Sequence, residues 1–173
     1  MKLYKYLSIV AIGMSLASCN DFLDATPDSR IEVDNEAEVK ALLNTAYPDA
    51  SIIRLTELAS DNADDLNGEE NGHYDRFSEQ FFFWQPITEE DNENSAMVWE
   101  RHYAAIAAAN HALVAIDKMG GATTDHLKAY RAEALLCRAY AHFMLTNIFG
   151  KHYSVAHATE DLGVPYITEP EVT

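Results

Sequence analysis

The second half of the chain has the clearest hydrophobic pattern. Between residues 95 and 119, bulky apolar side chains recur every three or four positions, and alanines fill most of the positions between them: Trp99, Tyr103, Ile106, Leu113 and Ile116. This spacing predicts a helix from Ser95 to Met119 with one apolar face. Gly120 and Gly121 follow it directly, and glycine at this point is typical of a helix end.

A second helix is predicted to begin after Thr123 or Thr124 and to end at Gly150. Its apolar residues form two stripes, a long one and a flanking one: Leu127, Tyr130, Ala134, Cys137, Ala141, Leu145 and Ile148, then Leu136, Tyr140 and Phe143. The short connection predicts an antiparallel hairpin with the preceding helix. One neighbour can cover only one stripe, and residues 161–170 are an extended segment that contains proline. We therefore expect a truncated domain, with a partner for the other stripe beyond Thr173.

The first half of the chain has a weaker pattern. Asp34 or Asn35 is suited to cap a helix with an acidic first turn, which we expect to end at Pro48. The apolar residues 52–58 predict another helix, whereas residues 59–94 lack periodicity and predict an irregular, acidic region that carries aromatic side chains. All the predicted elements are helices, so the expected fold class is all-α.

The amino terminus has the order of a secretory signal: two lysines, an apolar run over residues 7–16, and then Ala17 and Ser18. That run is about half the roughly 20 residues that a membrane-spanning helix needs. The sequence from Leu16 to Cys19 resembles a lipobox, in which the cysteine is acylated and becomes the first residue after cleavage. We therefore expect a signal peptide over 1–18, a lipidated polar tether over 19–34, a helical domain over 35–173, and membrane attachment through lipid only.

The charge of the chain excludes one class of partner. The formal net charge is −16, and removal of the signal peptide leaves 10 basic against 28 acidic residues. Because phosphate backbones repel such a chain, nucleic acid is excluded as a partner. Cys137 is the one cysteine besides Cys19 and stands in an apolar sequence, so we expect no intramolecular disulfide and interpret Cys137 as a small core residue.

The best candidates for ligand binding lie in the irregular region. Sugar capture needs flat aromatic faces beside amides and carboxylates, and Trp84, Gln85, Asp91 and Asn92 offer these groups close together in sequence. The alternative is that the aromatic residues 81–84 fill the core, which is the commoner role, with Trp84 the best candidate for an exposed position. We expect Trp99 and Tyr103 to lie in the core.

Other chemistry finds little support in the sequence. An EF-hand register with Gly68 at the sixth position of the loop places Ala63 at the first and Tyr74 at the twelfth, so that motif fails. A solvated acidic loop is the favoured interpretation of residues 61–70, and an irregular calcium site stays open. The seven histidines have no metal-ligand spacing, and phosphate-loop and nucleophile-elbow motifs are absent from the sequence. We expect no enzyme activity and no cofactor besides the lipid on Cys19.

Several motifs, taken in order, resemble the N-terminal part of SusD/RagB-like nutrient-uptake lipoproteins of the outer membrane. They are the lipobox with Asn20-Asp21-Phe22-Leu23-Asp24, Ser60-Asp61-Asn62, Trp99-x3-Tyr103 with Asn110, the segment from Glu133 to Phe143 with Arg138 and Tyr140, Phe149-Gly150, and Gly163-Val164-Pro165-Tyr166.

The resemblance implies helical hairpins similar to tetratricopeptide repeats in a surface-exposed outer-membrane lipoprotein. It also implies a non-catalytic protein that covers a TonB-dependent transporter barrel and captures an oligosaccharide or peptide. Two alternatives remain open at this point. One is a helical-repeat lipoprotein that acts as a protein or peptide interaction module, and the other is an extracytoplasmic hydrolase.

Overall fold

A computed structural model describes residues 33–64, 75–89 and 94–171. Within these ranges the chain has five helices and no strand: α1 Glu36–Leu43, α2 Ile53–Leu58, α3 Arg76–Phe82, α4 Ser95–Lys118 and α5 Asp125–Phe149. The predicted all-α class is therefore confirmed. The predicted signal peptide, Cys19, nearly all of the tether, and Asp91 and Asn92 lie outside the described residues.

The α4–α5 hairpin forms where the sequence predicts it, because each helix end has its own capping residues. The Asn94 side chain accepts a hydrogen bond from the Met97 amide (2.8 Å) at the start of α4. At its end, the amides of Gly120 and Gly121 donate to Asp117 and Ile116, and both glycines have positive φ angles. This is the Schellman arrangement of a helix C-terminus. Thr124 then caps α5 through the Leu127 amide (3.1 Å).

Helix α1 packs against both helices of the hairpin. It is capped by Asn35 as predicted, but it ends at Leu43 and does not continue to Pro48. The amides of Thr45 and Ala46 donate to carbonyls three residues earlier, which tightens the chain into turns and places Ala46 in the core. The turns also bring the Tyr47 hydroxyl within 2.8 Å of the Glu133 carboxylate on α5.

The main core lies between these three helices and consists largely of small and branched apolar side chains: Val39, Leu43, Ala108, Ala109, Ala112, Ile116, Leu127, Ala134 and Cys137. The alanines of α4 let the helices approach closely. The long stripe of α5 faces this core or one of two smaller clusters, that of Ile106, Ala141 and Leu145 and that of Leu55, Phe77 and Val98. The flanking stripe faces solvent, where Leu136 is 70% exposed. As expected, the hairpin covers only one stripe.

Helix α3 was not predicted from the sequence, which we interpreted as irregular throughout 59–94. Asp75 caps its start, because the Asp75 carboxylate accepts a hydrogen bond from the Ser78 amide (2.7 Å). Arg54 of α2 pairs with Asp75 and also lies over the Phe77 ring, 4.6 Å from its centroid. Phe77 packs with Leu55 and Val98 in a second small core. Contacts with α2 and α4 therefore stabilise a helix that is too short for a clear periodic signal.

In the part of the chain that the structure describes, no helix is both long enough and apolar enough to span a membrane.

Candidate ligand-binding site

The turn after α3 presents an exposed tryptophan. The Trp84 amide donates to the Phe81 carbonyl (3.1 Å), and the Gln85 amide donates to the Gln80 carbonyl (2.8 Å). These are the two bonds of a Schellman arrangement, the same pair that ends α4. Trp84 stands in the left-handed position with a φ angle of 54°, and its side chain is 79% exposed.

The Gln80 side chain holds the residues that follow this turn. Its side chain is only 5% exposed and makes two hydrogen bonds to Thr88. The Gln80 Nε2 donates to Thr88 Oγ1 (2.8 Å), and the Thr88 amide donates to Gln80 Oε1 (3.0 Å). Between them, Ile87 packs on the small core of Leu55, Phe77 and Val98. The turn is therefore held both by hydrogen bonds and by an apolar anchor.

The structure divides the aromatic cluster 81–84. Phe81 packs on the small core, whereas Phe83 is half-exposed and Trp84 is fully at the surface. The alternative that all four rings fill the core is thus wrong for Trp84 and Phe83. Gln85 is also exposed and lies beside Trp84 in the turn, so two of the four predicted ligand-binding residues are together in solvent. An exposed indole face beside an amide is suited to stack on a sugar ring and to hydrogen-bond its hydroxyls.

A second group of polar side chains holds the extended residues 164–170, which we call the strap. Tyr103 and Asn110 of α4 donate to the carbonyls of Pro165 (2.9 Å), Ile167 and Glu169 (both 3.3 Å). From α5, Arg138 donates to the carbonyl of Thr168 (3.0 Å) and to Asn110 Oδ1 (2.9 Å). All of the bonds to the strap reach its backbone, so they position it without reading its side chains.

His142 also holds the strap, and its ring lies 4.6 Å from that of Tyr166. Its Nδ1 lies 2.9 Å from the Arg138 carbonyl, which can only accept, and its Nε2 lies 3.0 Å from the Ile167 amide, which can only donate. With these partners, Nδ1 donates to the Arg138 carbonyl and Nε2 accepts from the Ile167 amide. Asn110 and Arg138 belong to the motifs of the family resemblance, but the sequence did not show that they meet at one segment 30 to 60 residues away.

Two aromatic residues expected in the core lie at its edge. Trp99 is 37% exposed, with its ring 4.9 Å from that of Tyr103 and 5.1 Å from that of Phe149. Tyr103 is partly buried, and this burial raises the pKa of its hydroxyl. The prediction that Trp99 lies in the core was wrong. The smaller side chains of α4 fill the core, and the rings of Trp99 and Tyr103 lie at its edge.

Among the other ionisable groups, Cys137 and Tyr47 have raised pKa values. Cys137 is buried as predicted, and burial raises the pKa of its thiol, which makes it less reactive. The hydrogen bond to Glu133 raises the pKa of Tyr47 to about 12. Most of the acidic residues 61–70 lie outside the described ranges. Within those ranges, no three His, Cys, Asp or Glu side chains form a group that could hold a metal ion.

Comparison with known proteins places the chain in a family. A family model with the description "Starch-binding associating with outer membrane" matches residues 21–173. No curated protein and no solved structure matches the chain. Association with the outer membrane, which the sequence predicted, is confirmed by this description. Since the match covers most of the sequence, the chain belongs to the SusD-like family.

Proposed function

We propose that this protein is a non-catalytic, lipid-anchored surface protein that captures a glycan and delivers it to a TonB-dependent transporter of the outer membrane. The observation that supports this most is the exposed Trp84 on a fixed turn, in a chain whose family is described as starch-binding. Starch-type glycans are therefore the first ligands to test.

The capture step needs only differential affinity. The Trp84 ring stacks on the apolar face of a glucose unit, and the Gln85 amide bonds to its hydroxyls. Asp91 and Asn92 follow a few residues later in the chain and remain proposed contacts. Because the Trp84 ring is solvent-exposed, it offers its surface without the cost of displacing a packed neighbour. Nothing in this step requires the glycan to be cut.

Glycan capture is tested by calorimetric titration of the full chain, purified in detergent, with maltoheptaose. We expect Trp84→Ala to weaken binding at least tenfold, which corresponds to about 1.4 kcal/mol. Tyr153→Ala is the matched control, since Tyr153 is another exposed aromatic residue that lies far along the chain and should leave affinity unchanged. Equal affinity of the Trp84 variant and the unaltered protein would refute the assignment of Trp84, and no binding to any glycan on an array would refute the function.

The lipid anchor has its own test. Acyl chains on Cys19 hold the protein to the membrane, because multiple chains bind far more stably than one. We expect Cys19→Ser to move the protein from the membrane fraction to the soluble fraction. A Cys19→Ser protein that still sediments with outer membranes would contradict lipid attachment.

Delivery to a transporter requires a physical partner. We expect a TonB-dependent barrel to co-purify with the tagged protein from outer membranes that are solubilised in mild detergent. Recovery of the protein free of any barrel, under conditions in which glycan binding is retained, would limit the function to capture.

A second candidate, peptide binding, is favoured by one observation. The strap shows that α4 and α5 bind an extended backbone through side chains, with hydrogen bonds that do not depend on the sequence of the bound segment. A peptide module would use such contacts. The glycan array distinguishes the two, since a peptide module should bind peptides from a library and no glycan.

A further inference from the structure

We propose that Gln80 is a positioning residue that holds Trp84 in the geometry required for glycan binding. The inference rests on the proposed function and adds a residue that no family description assigns. Three observations carry it: the left-handed backbone at Trp84, the buried side chain of Gln80, and its double hydrogen bond to Thr88.

The backbone at Trp84 is strained for a bulky residue. A left-handed φ brings Cβ close to the following carbonyl oxygen, so glycine is the usual residue at this position of a Schellman turn. The same chain shows the unstrained solution at the end of α4, where Gly120 takes the equivalent place with a φ angle of 93°. Bulky residues in this conformation cluster at functional sites, so the strain at Trp84 points to a function of its side chain.

Strain of this kind persists only where the surrounding contacts over-determine the backbone. Gln80 supplies three of those contacts from one residue. Its carbonyl accepts from the Gln85 amide just after Trp84, and its side-chain amide holds Thr88 by two bonds. The segment from Gln85 to Thr88, which directly follows Trp84, is therefore bonded to Gln80 at both ends.

The identity of Gln80 is not explained by core packing. The residue is buried on a helix whose inner face packs on the small core, where a leucine or methionine would bury its surface without any polar group to satisfy. A glutamine at a buried position contributes only if its amide is fully bonded, and here both of its polar atoms are bonded to Thr88. Its specific contribution is thus the conformation of the turn.

The experiment separates positioning from folding by four variants in a Trp99→Phe background, which leaves Trp84 as the sole tryptophan of the chain. Trp84→Gly removes both the ring and the strain. Gln80→Met keeps the volume and removes both side-chain bonds, whereas Gln80→Glu can accept from the amide and the hydroxyl of Thr88. Thr88→Val removes one bond from the other side and replaces Gln80→Met if that variant fails to fold.

The measurements are maltoheptaose affinity, fluorescence anisotropy of Trp84 and thermal midpoint. We expect Trp84→Gly to abolish binding while the midpoint stays equal or rises, because glycine relieves the left-handed strain. We expect Gln80→Met to lower the anisotropy and to weaken binding at least about fivefold, since about fivefold is the effect of one lost hydrogen bond and the variant loses two. Gln80→Glu should restore most of both signals.

Each other outcome overturns a defined claim. If Gln80→Met, or Thr88→Val in its place, leaves anisotropy and affinity unchanged while Trp84→Gly abolishes binding, the positioning role is wrong and the proposed function stands. If Trp84→Gly binds normally, the assignment of Trp84 is wrong. If the unaltered chain binds no glycan, the proposed function fails, and the anisotropy of the Gln80 variants still decides whether Gln80 fixes the ring.

Discussion

Replacement of Asn110 by leucine should both destabilise the fold and release the strap. Asn110 is 1% exposed and lies on α4, where its side chain contacts both α5 and the strap. Its Oδ1 accepts from the Arg138 guanidinium at 2.9 Å, and its Nδ2 donates to two strap carbonyls at 3.3 Å. Leucine has the same branching as asparagine and is somewhat larger, so the substitution removes these bonds without leaving a cavity.

The expected cost follows from these distances. A hydrogen bond to a charged group contributes about 1.5–3 kcal/mol, and two bonds near the upper limit of length contribute about 0.5 kcal/mol each. Burial of the leucine side chain in place of a polar group offsets about 1 kcal/mol. Because leucine is also larger than asparagine, we expect Asn110→Leu to lower the free energy of unfolding by at least about 2 kcal/mol.

Denaturant unfolding measures this loss of stability. Hydrogen exchange of the Ile167 amide measures how readily the strap opens. That amide donates to His142, so we expect its exchange to rise about thirtyfold, the factor that corresponds to about 2 kcal/mol. Asn147→Leu is the matched control, because Asn147 is exposed on α5 and donates to a carbonyl of its own helix. A loss below about 0.5 kcal/mol with unchanged exchange at Ile167 would refute the reasoning.

Three further predictions concern the rest of the fold. Leu145→Ala, at a fully buried position of α5, should cost about 2–5 kcal/mol in denaturant unfolding, whereas Leu136→Ala on the exposed stripe of the same helix should change stability little; equal losses would contradict the division into two stripes. Gly120→Ala should cost about 1 kcal/mol, because alanine is strained at a φ angle of 93°. Gly163→Ala, at an open position without a left-handed φ, is its control and should be neutral. The Ser78 amide and the Arg54 guanidinium lower the pKa of Asp75, so this carboxylate contributes stability above its ordinary value of 3.8 that is lost as the pH falls through the lowered pKa. Asp75→Asn keeps a capping side chain but removes the titrating carboxylate, so its free energy of unfolding should fall less steeply at acid pH than that of the unaltered protein. An equally steep fall in the variant would show that Asp75 is not responsible.

The hairpin was predictable because the residues that specify its helices and turn are close together in the sequence. Apolar residues at helical spacing, a capping Asn or Thr, and two glycines specify where α4 and α5 begin and end, and the structure agrees within one residue at each of these ends. The exposure of the flanking stripe on α5 followed as well, since one neighbour has only one face to offer. The order of the motifs along the chain was also sufficient to indicate the family.

Only part of the candidate site could be predicted from the sequence. Residue types suited to sugar binding identified Trp84 and Gln85, but their exposure was one of two open alternatives. Helix α3 was missed because seven residues are too few for a periodic signal and because the buried Gln80 interrupts its apolar face. The left-handed backbone of Trp84 was beyond prediction, since an aromatic residue is among the least expected at that position.

Capping, periodicity and family membership were therefore determined by the sequence alone, because each depends on residues close together in the chain or on their order. Tertiary structure decided which rings face solvent, that Gln80 binds Thr88 after the turn, and where Asn110 and Arg138 contact the strap. These features depend on contacts between residues that are far apart in sequence, and their free energy comes from burial and hydrogen-bond geometry that exist only after the helices have packed.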